Sequence, residues 1–218
     1  MNYAALCAGA NVRYLSVVGA FHPSKSDLTP EDTRTLVLLA PAPRTFWNHF
    51  TTSHEFRDGQ CDPMDRWSRR VIGQWACDLA AKALFPFGGP PYQPFLRWAI
   101  ASGRAWHSPT GPLVHETMGM MISYRGALAL KDRIVLPPLA PKPCDTCSKK
   151  PCLTSCPVGA LSQYVPYDVP GCKKHIRSDS GQKCRSGCLT RTACPISQGA
   201  GRASAQSTFH MNNFLRSG

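Results

Sequence analysis

The sequence predicts an α+β chain: a mixed α/β domain over residues 1–140, a small cysteine-rich module over residues 141–200, and a tail over residues 201–218. Three observations carry this division. Only Cys7, Cys61 and Cys77 precede residue 140, whereas the other eight of the eleven cysteines fall between Cys144 and Cys194. Charge divides near the same place: thirteen of the 25 Lys and Arg, but only four of the 13 Asp and Glu, lie from Lys131 onward, so most of the net charge of +12 belongs to the second part. Between them runs "IVLPPLAPKP", with four prolines in ten residues, which reads as a connector. At 218 residues and 43% apolar content the chain is long enough for one sizeable core plus an appended module.

Within the first part, "VRYLSVVGAF" and "TRTLVLLAPA" are short aliphatic runs bounded by Pro and polar residues, as strands are. "DPMDRWSRRVIGQWACDLAAKAL" reads as a helix capped by Asp62, with Pro63 in its first turn and Trp67, Val71, Trp75 and Leu79 recurring every four residues on one face. "YQPFLRWAIASGRAW" is a second helix, for which Gly103 is a plausible stop, and "GMMISYRGALAL" a further strand leading into the connector. The "FPFGGPPYQP" stretch is a loop. No Walker-type phosphate loop and no dinucleotide fingerprint is present.

The apolar runs fall far short of the roughly 20 residues a bilayer helix needs. The start "MNYAALCAGANVRYL" has neither the basic beginning nor the uninterrupted apolar stretch of an export signal, so a cytoplasmic location with no membrane association is expected. Thiols stay reduced there. Eleven cysteines, an odd number, then read as metal ligands before disulfides, and Cys7, Cys61 and Cys77 as buried structural thiols.

The cysteine run "CDTCSKKPCLTSCP" places Cys144, Cys147, Cys152 and Cys156 in thirteen positions and ends in Cys-Pro, and "CRSGCLTRTACP" places Cys184, Cys188 and Cys194 and ends the same way. In bacterial ferredoxins a C-x2-C pair and a following cysteine ligate one iron-sulfur cluster, while the cysteine before proline serves the other. That pattern assigns Cys144, Cys147, Cys152 and Cys194 to one 4Fe-4S cluster, and Cys156, Cys184 and Cys188 to a second. Zinc bound by four thiolates would draw on the same residues, and the x4 gap between Cys147 and Cys152 differs from the ferredoxin x2. Lys149, Lys150, Lys173 and Lys174 would lie beside such anionic centres. A face of this charge also suits nucleic acid or an acidic electron donor, although Tyr164, Tyr167, Phe209 and Phe214 are the only aromatic residues after Tyr124, few for base stacking.

Taken together, "GRAWHSPTGPLVHETMGMMISYRGALAL", the C-x2-C-x4-C-x3-C-P run, the lone cysteine of "PGCKKHI" and the final "CRSGCLTRTACP" resemble the core of the epoxyqueuosine reductases and of the related reductive dehalogenases. The resemblance covers roughly residues 85–195. It implies a nitroreductase-like, cobalamin-binding α/β domain followed by a bacterial-ferredoxin-like module with two 4Fe-4S clusters. It also implies that Cys172 is the fourth ligand of the second cluster. By position it makes Gly103, His107, His115, Gly119 and Tyr124 candidates for the corrin pocket, with Glu116, the only acid in residues 79–131, the candidate proton donor.

Two features of that family are missing from the chain. Gly88 stands where the epoxyqueuosine reductases carry an acidic proton donor, and their C-terminal repeat extension has no counterpart in the 24 residues after Cys194. The expected function is therefore not epoxyqueuosine reduction. It is electron transfer through two 4Fe-4S clusters to a cobalamin or related tetrapyrrole, with a soluble reductase, ferredoxin or flavodoxin as electron donor. A ferredoxin-type carrier without cobalamin and a nucleic-acid-associated iron-sulfur protein are the alternatives.

Overall fold

The uninterrupted apolar run "TLVLLAP" forms strand β2 (Thr35–Pro41), every residue of which is buried. A strand covered on both faces needs no polar alternation, and its sequence shows none. The computed structural model describes residues 1–216. It is a mixed α/β fold with two antiparallel sheets. In the larger, β2 lies between β1 (Leu15–Phe21) and β6 (Gly126–Leu130), with β3 (Lys82–Leu84) on the far side of β6. Register is marked by Leu38 opposite Ala127 and Leu39 opposite Gly126. The β1–β2 pairing shifts by one residue between Val17 and Gly19, and a Cβ on Gly19 would meet Ser102 Oγ at 2.6 Å.

Five helices belong to this unit: α1 (Tyr3–Asn11), α2 (Phe46–Thr52), α3 (His54–Arg57), α4 (Pro63–Asp78) and α5 (Phe95–Ala101). Helices α1 and α5 pack on β1, and α4 on β3 and β6. The α4 helix stands where the sequence places it, with Pro63 in its first turn, but two details differ. Asp62 occupies the cap position in a left-handed conformation and makes no side-chain cap bond; its carbonyl receives the Asp65 and Arg66 amides instead. The buried stripe is Met64, Trp67, Ser68, Ile72, Trp75 and Ala76, while Val71 and Leu79 are only half-buried. A strict spacing of four drifts off the face of a 3.6-residue helix, so the stripe alternates steps of three and four. The stop at Gly103 stands two residues beyond α5 with φ +65. Of "GMMISYRGALAL" only Gly126–Leu130 is strand.

The chain divides into two compact units, residues 1–104 with 123–140, and residues 105–122 with the chain from Pro141 onward. One cut thus falls at the proline connector, and residues 105–122 join the cysteine-rich part. In that unit β4 (Ala105–His107) pairs with β5 (Leu113–His115) in the second sheet. Its helices are short: α6 (Val169–Arg177), α7 (Gln182–Arg185), α8 (Leu189–Ala193), α9 (Pro195–Gly199) and α10 (Ser204–Arg216). The predicted tail is therefore mostly helix, its last two residues lying outside the described ones. Helix α10 is held by Arg177 Nη2 donating to the Leu215 carbonyl at 3.0 Å and by Phe214 stacking on Tyr167. Among the described residues no helix is long and apolar enough to cross a membrane.

Candidate metal centre

Four cysteines separated by up to fifty positions line one cavity. Cys144 and Cys147 come from the turns after the proline connector, Cys152 from a single 3-10 turn at Pro151–Leu153, and Cys194 from the cap of α9. The cavity measures about 310 Å³, and its wall includes Val114, Met120, Ile196, Lys149 and Lys150 beside the four thiols. Cys152 and Cys194 are 7% and 8% exposed and pack with Val114 and Met120. The Met120 amide donates to Ser197 Oγ at 2.9 Å, tying the β4–β5 segment to α9. Burial pushes the Cys144 and Cys152 thiols up, and the charges of the other cysteines of this set push in the same direction.

The second set gathers around the helices that follow. Cys172 lies on α6, whose cap Asp168 receives the Gly171 amide at 2.9 Å; Cys184 lies on α7, and Cys188 caps α8. Burial raises the Cys184 thiol, and Cys188, Cys172 and Cys156 raise it further. Cys172 is likewise raised by burial and by Cys188 and Cys156, against a hydrogen bond from Tyr167 that lowers it. The cysteines acting on Cys144 and Cys152 thus come from one set, and those acting on Cys172 and Cys184 from the other. Removing bound protons from such clustered thiols needs a compensating cation, and a metal supplies one.

Among the described residues, no group of three or more His, Cys, Asp or Glu is arranged to hold a single metal ion. A cubane spreads its four thiolates over four irons, so ligands of a cluster stand farther apart than ligands of one zinc. Four thiols on one largely apolar cavity are the donor set such a cluster would use.

The residues implied for a corrin pocket are divided between the two units. Gly103 and Tyr124 belong to the α/β unit, and His107, His115, Glu116 and Gly119 to the other. His115 is 3% exposed, and its Nδ1 accepts from the Thr117 and Met118 amides at 3.2 and 3.3 Å. Gly119 turns at φ +55 against Ser197, where a Cβ would collide with the Ser197 backbone. His107 is exposed with Nδ1 3.1 Å from the Gly111 carbonyl, and Glu116 is half-buried. Tyr124 is packed beside Phe95 with a buried hydroxyl that has no partner, and burial raises its pKa. Within the cysteine-rich unit His115 and Gly119 are engaged by the chain's own backbone and by Ser197. Gly88 lies against the Arg69 guanidinium at φ +86, so an acid there would face a cation.

Cys61 and Cys77 are exposed and Cys7 half-buried, which corrects the expectation of three buried thiols. Cys77 falls on the outer face of α4, where the stripe of three and four leaves it. The contribution of Tyr167, whose hydroxyl donates to Cys172 Sγ at 3.3 Å, has no signature in the sequence beyond standing five residues before a cysteine. Compared with protein-family profiles, curated proteins and solved structures, the chain finds no match.

Proposed function

We propose that the cysteine-rich unit holds two 4Fe-4S clusters, one on Cys144, Cys147, Cys152 and Cys194 and one on Cys156, Cys172, Cys184 and Cys188, and that the protein is an electron carrier. The observation that carries this is the sharing of one cavity by Cys194 and the distant Cys144–Cys152 run. Bound clusters supply one-electron storage at low potential. The chain's residues do the rest. Val114, Met120 and Ile196 give the first set an apolar wall, Tyr167 donates a hydrogen bond to Cys172 of the second, and Lys149 and Lys150 bring positive charge beside the first, which would favour the more negative reduced state. A tetrapyrrole is no part of this reading, because His115 and Gly119, two of the residues expected to hold one, are engaged by the Thr117 and Met118 amides and by Ser197.

Anaerobic reconstitution with iron and sulfide tests the reading. The expected result is about eight irons with matching sulfide per chain, and spin-coupled EPR signals on dithionite reduction. Adding cob(II)alamin should leave its spectrum that of the free cofactor. Retention of about two zinc ions without sulfide would replace the cluster reading with a structural one.

A further inference from the structure

Between the two halves of the second cysteine set the chain presents an apolar loop to water. Ala160 and Leu161 anchor it at 1% and 5% exposure, and the Asp168 amide closes it on the Ala160 carbonyl at 3.0 Å. Its tip reads "YVPY": Tyr164 is 85% exposed, Val165 56% and Tyr167 42%, and Val158 nearby is 46% exposed. A fixed loop that keeps contiguous apolar side chains in water marks an interaction surface more often than a scattered exposed residue does. The unit that carries it is basic. It holds eleven Lys and Arg against four Asp and Glu, and the positive charge of the exposed Arg191 lies within electrostatic reach of Tyr167. The innermost residue of the tip also touches the metal ligands, through the 3.3 Å bond from Tyr167 to Cys172 Sγ.

We propose that the Tyr164–Tyr167 tip, with Arg191 at its rim, is the docking surface for a small acidic electron-carrier protein and the port through which the second cluster is charged. The inference rests on the proposed function. Acidic charge on the carrier complements the basic rim and steers encounter, while the apolar tip supplies the dry contact at its centre. In the exchange one electron leaves the carrier's reduced iron-sulfur centre, which becomes oxidised, and is taken up at the site of Cys156, Cys172, Cys184 and Cys188. No bond forms and no proton moves.

The test uses the reconstituted full chain mixed in a stopped-flow instrument with a prereduced acidic 2Fe-2S ferredoxin. Tyr164→Ser combined with Val165→Ser, and separately Arg191→Glu, should each lower the second-order rate about tenfold while reduction by dithionite stays unchanged, and the wild-type rate should fall with rising salt. Equal rates for wild type and both variants would overturn the proposal. So would salt-dependent binding of a short single-stranded RNA that the same variants abolish, since the surface would then serve nucleic acid. Iron content measured first separates the two levels: absence of clusters sinks the proposed function itself, whereas full clusters with unaltered rates sink only the port.

Discussion

The Tyr167 hydroxyl donates to Cys172 Sγ at 3.3 Å while its ring stacks on Phe214 of α10 with centroids 6.3 Å apart, and Lys173 Nζ lies 5.1 Å from the centre of that same Phe214 ring. One side chain thus joins a thiol of the proposed second cluster to the C-terminal helix. A hydrogen bond to a cluster thiolate stabilises the more negative, reduced state and raises the potential. Tyr167→Phe keeps the ring and removes the donor. The potential of one of two clusters should therefore move to a more negative value in an EPR-monitored redox titration, with the other unmoved and the iron content unchanged.

Cys194 shares its cavity with three cysteines more than forty residues away. Cys194→Ala should remove or damage one cluster, lowering iron by about half or leaving a three-iron EPR signal, while the second cluster's signal persists. Full iron content in this variant would sink the allocation.

Exposure separates the three remaining thiols. Cys61 and Cys77 are exposed and Cys7 half-buried, with burial raising the Cys7 thiol. In the reconstituted protein a thiol reagent should titrate about two cysteines rapidly and a third slowly, with the other eight protected until the clusters are removed. Serine at position 61 or 77 should leave iron content unchanged.

Arg125 is 9% exposed, donates from Nε to Ser68 Oγ at 3.1 Å and pairs with Asp65. Asp65→Ala leaves the guanidinium buried without its counter-ion and should cost about 2–3 kcal/mol in denaturant unfolding. Combining it with Arg125→Met, which replaces the charge by an apolar chain of similar length, should recover part of that loss.

Asp58 accepts two hydrogen bonds of 2.7 Å from Arg66 and one of 2.9 Å from the Gln60 amide, which hold its carboxyl at about 2, down from 3.8. A depressed acid contributes stability that is full above its unfolded value and is lost as pH falls through its folded one. The contribution from Asp58 should thus be present above about pH 4 and disappear between pH 4 and pH 2. Thermal unfolding of Asp58→Asn over that range should show a flatter acid limb than wild type.

Much of this arrangement is legible along the chain because its causes are local. The strands at Leu15 and Thr35 follow from aliphatic runs, α4 from the recurrence of Trp67 and Trp75, and the proline connector falls where the units divide. Legibility fails where a residue's role depends on something distant in sequence. Asp62 reads as a cap, but its left-handed backbone turns the side chain away from the helix amides. Gly119 reads as a flexible glycine at a cofactor, but its missing side chain leaves room for Ser197, seventy-eight positions on.

Sequence alone determined the two-part composition, the two Cys-Pro runs and the positions of the main strands and helices, since each depends on residue type and short-range spacing. Tertiary structure decided which thiols meet: Cys194 comes to the Cys144–Cys152 cavity only once the segments that carry them have packed. It also decided that residues 105–122 belong with the cysteines rather than with the sheet that precedes them. The physical reason is burial. A short strand such as Leu113–His115 is covered wherever an apolar surface completes its own, and no local pattern in "LVH" says that Met120, Cys152 and Cys194 will supply it.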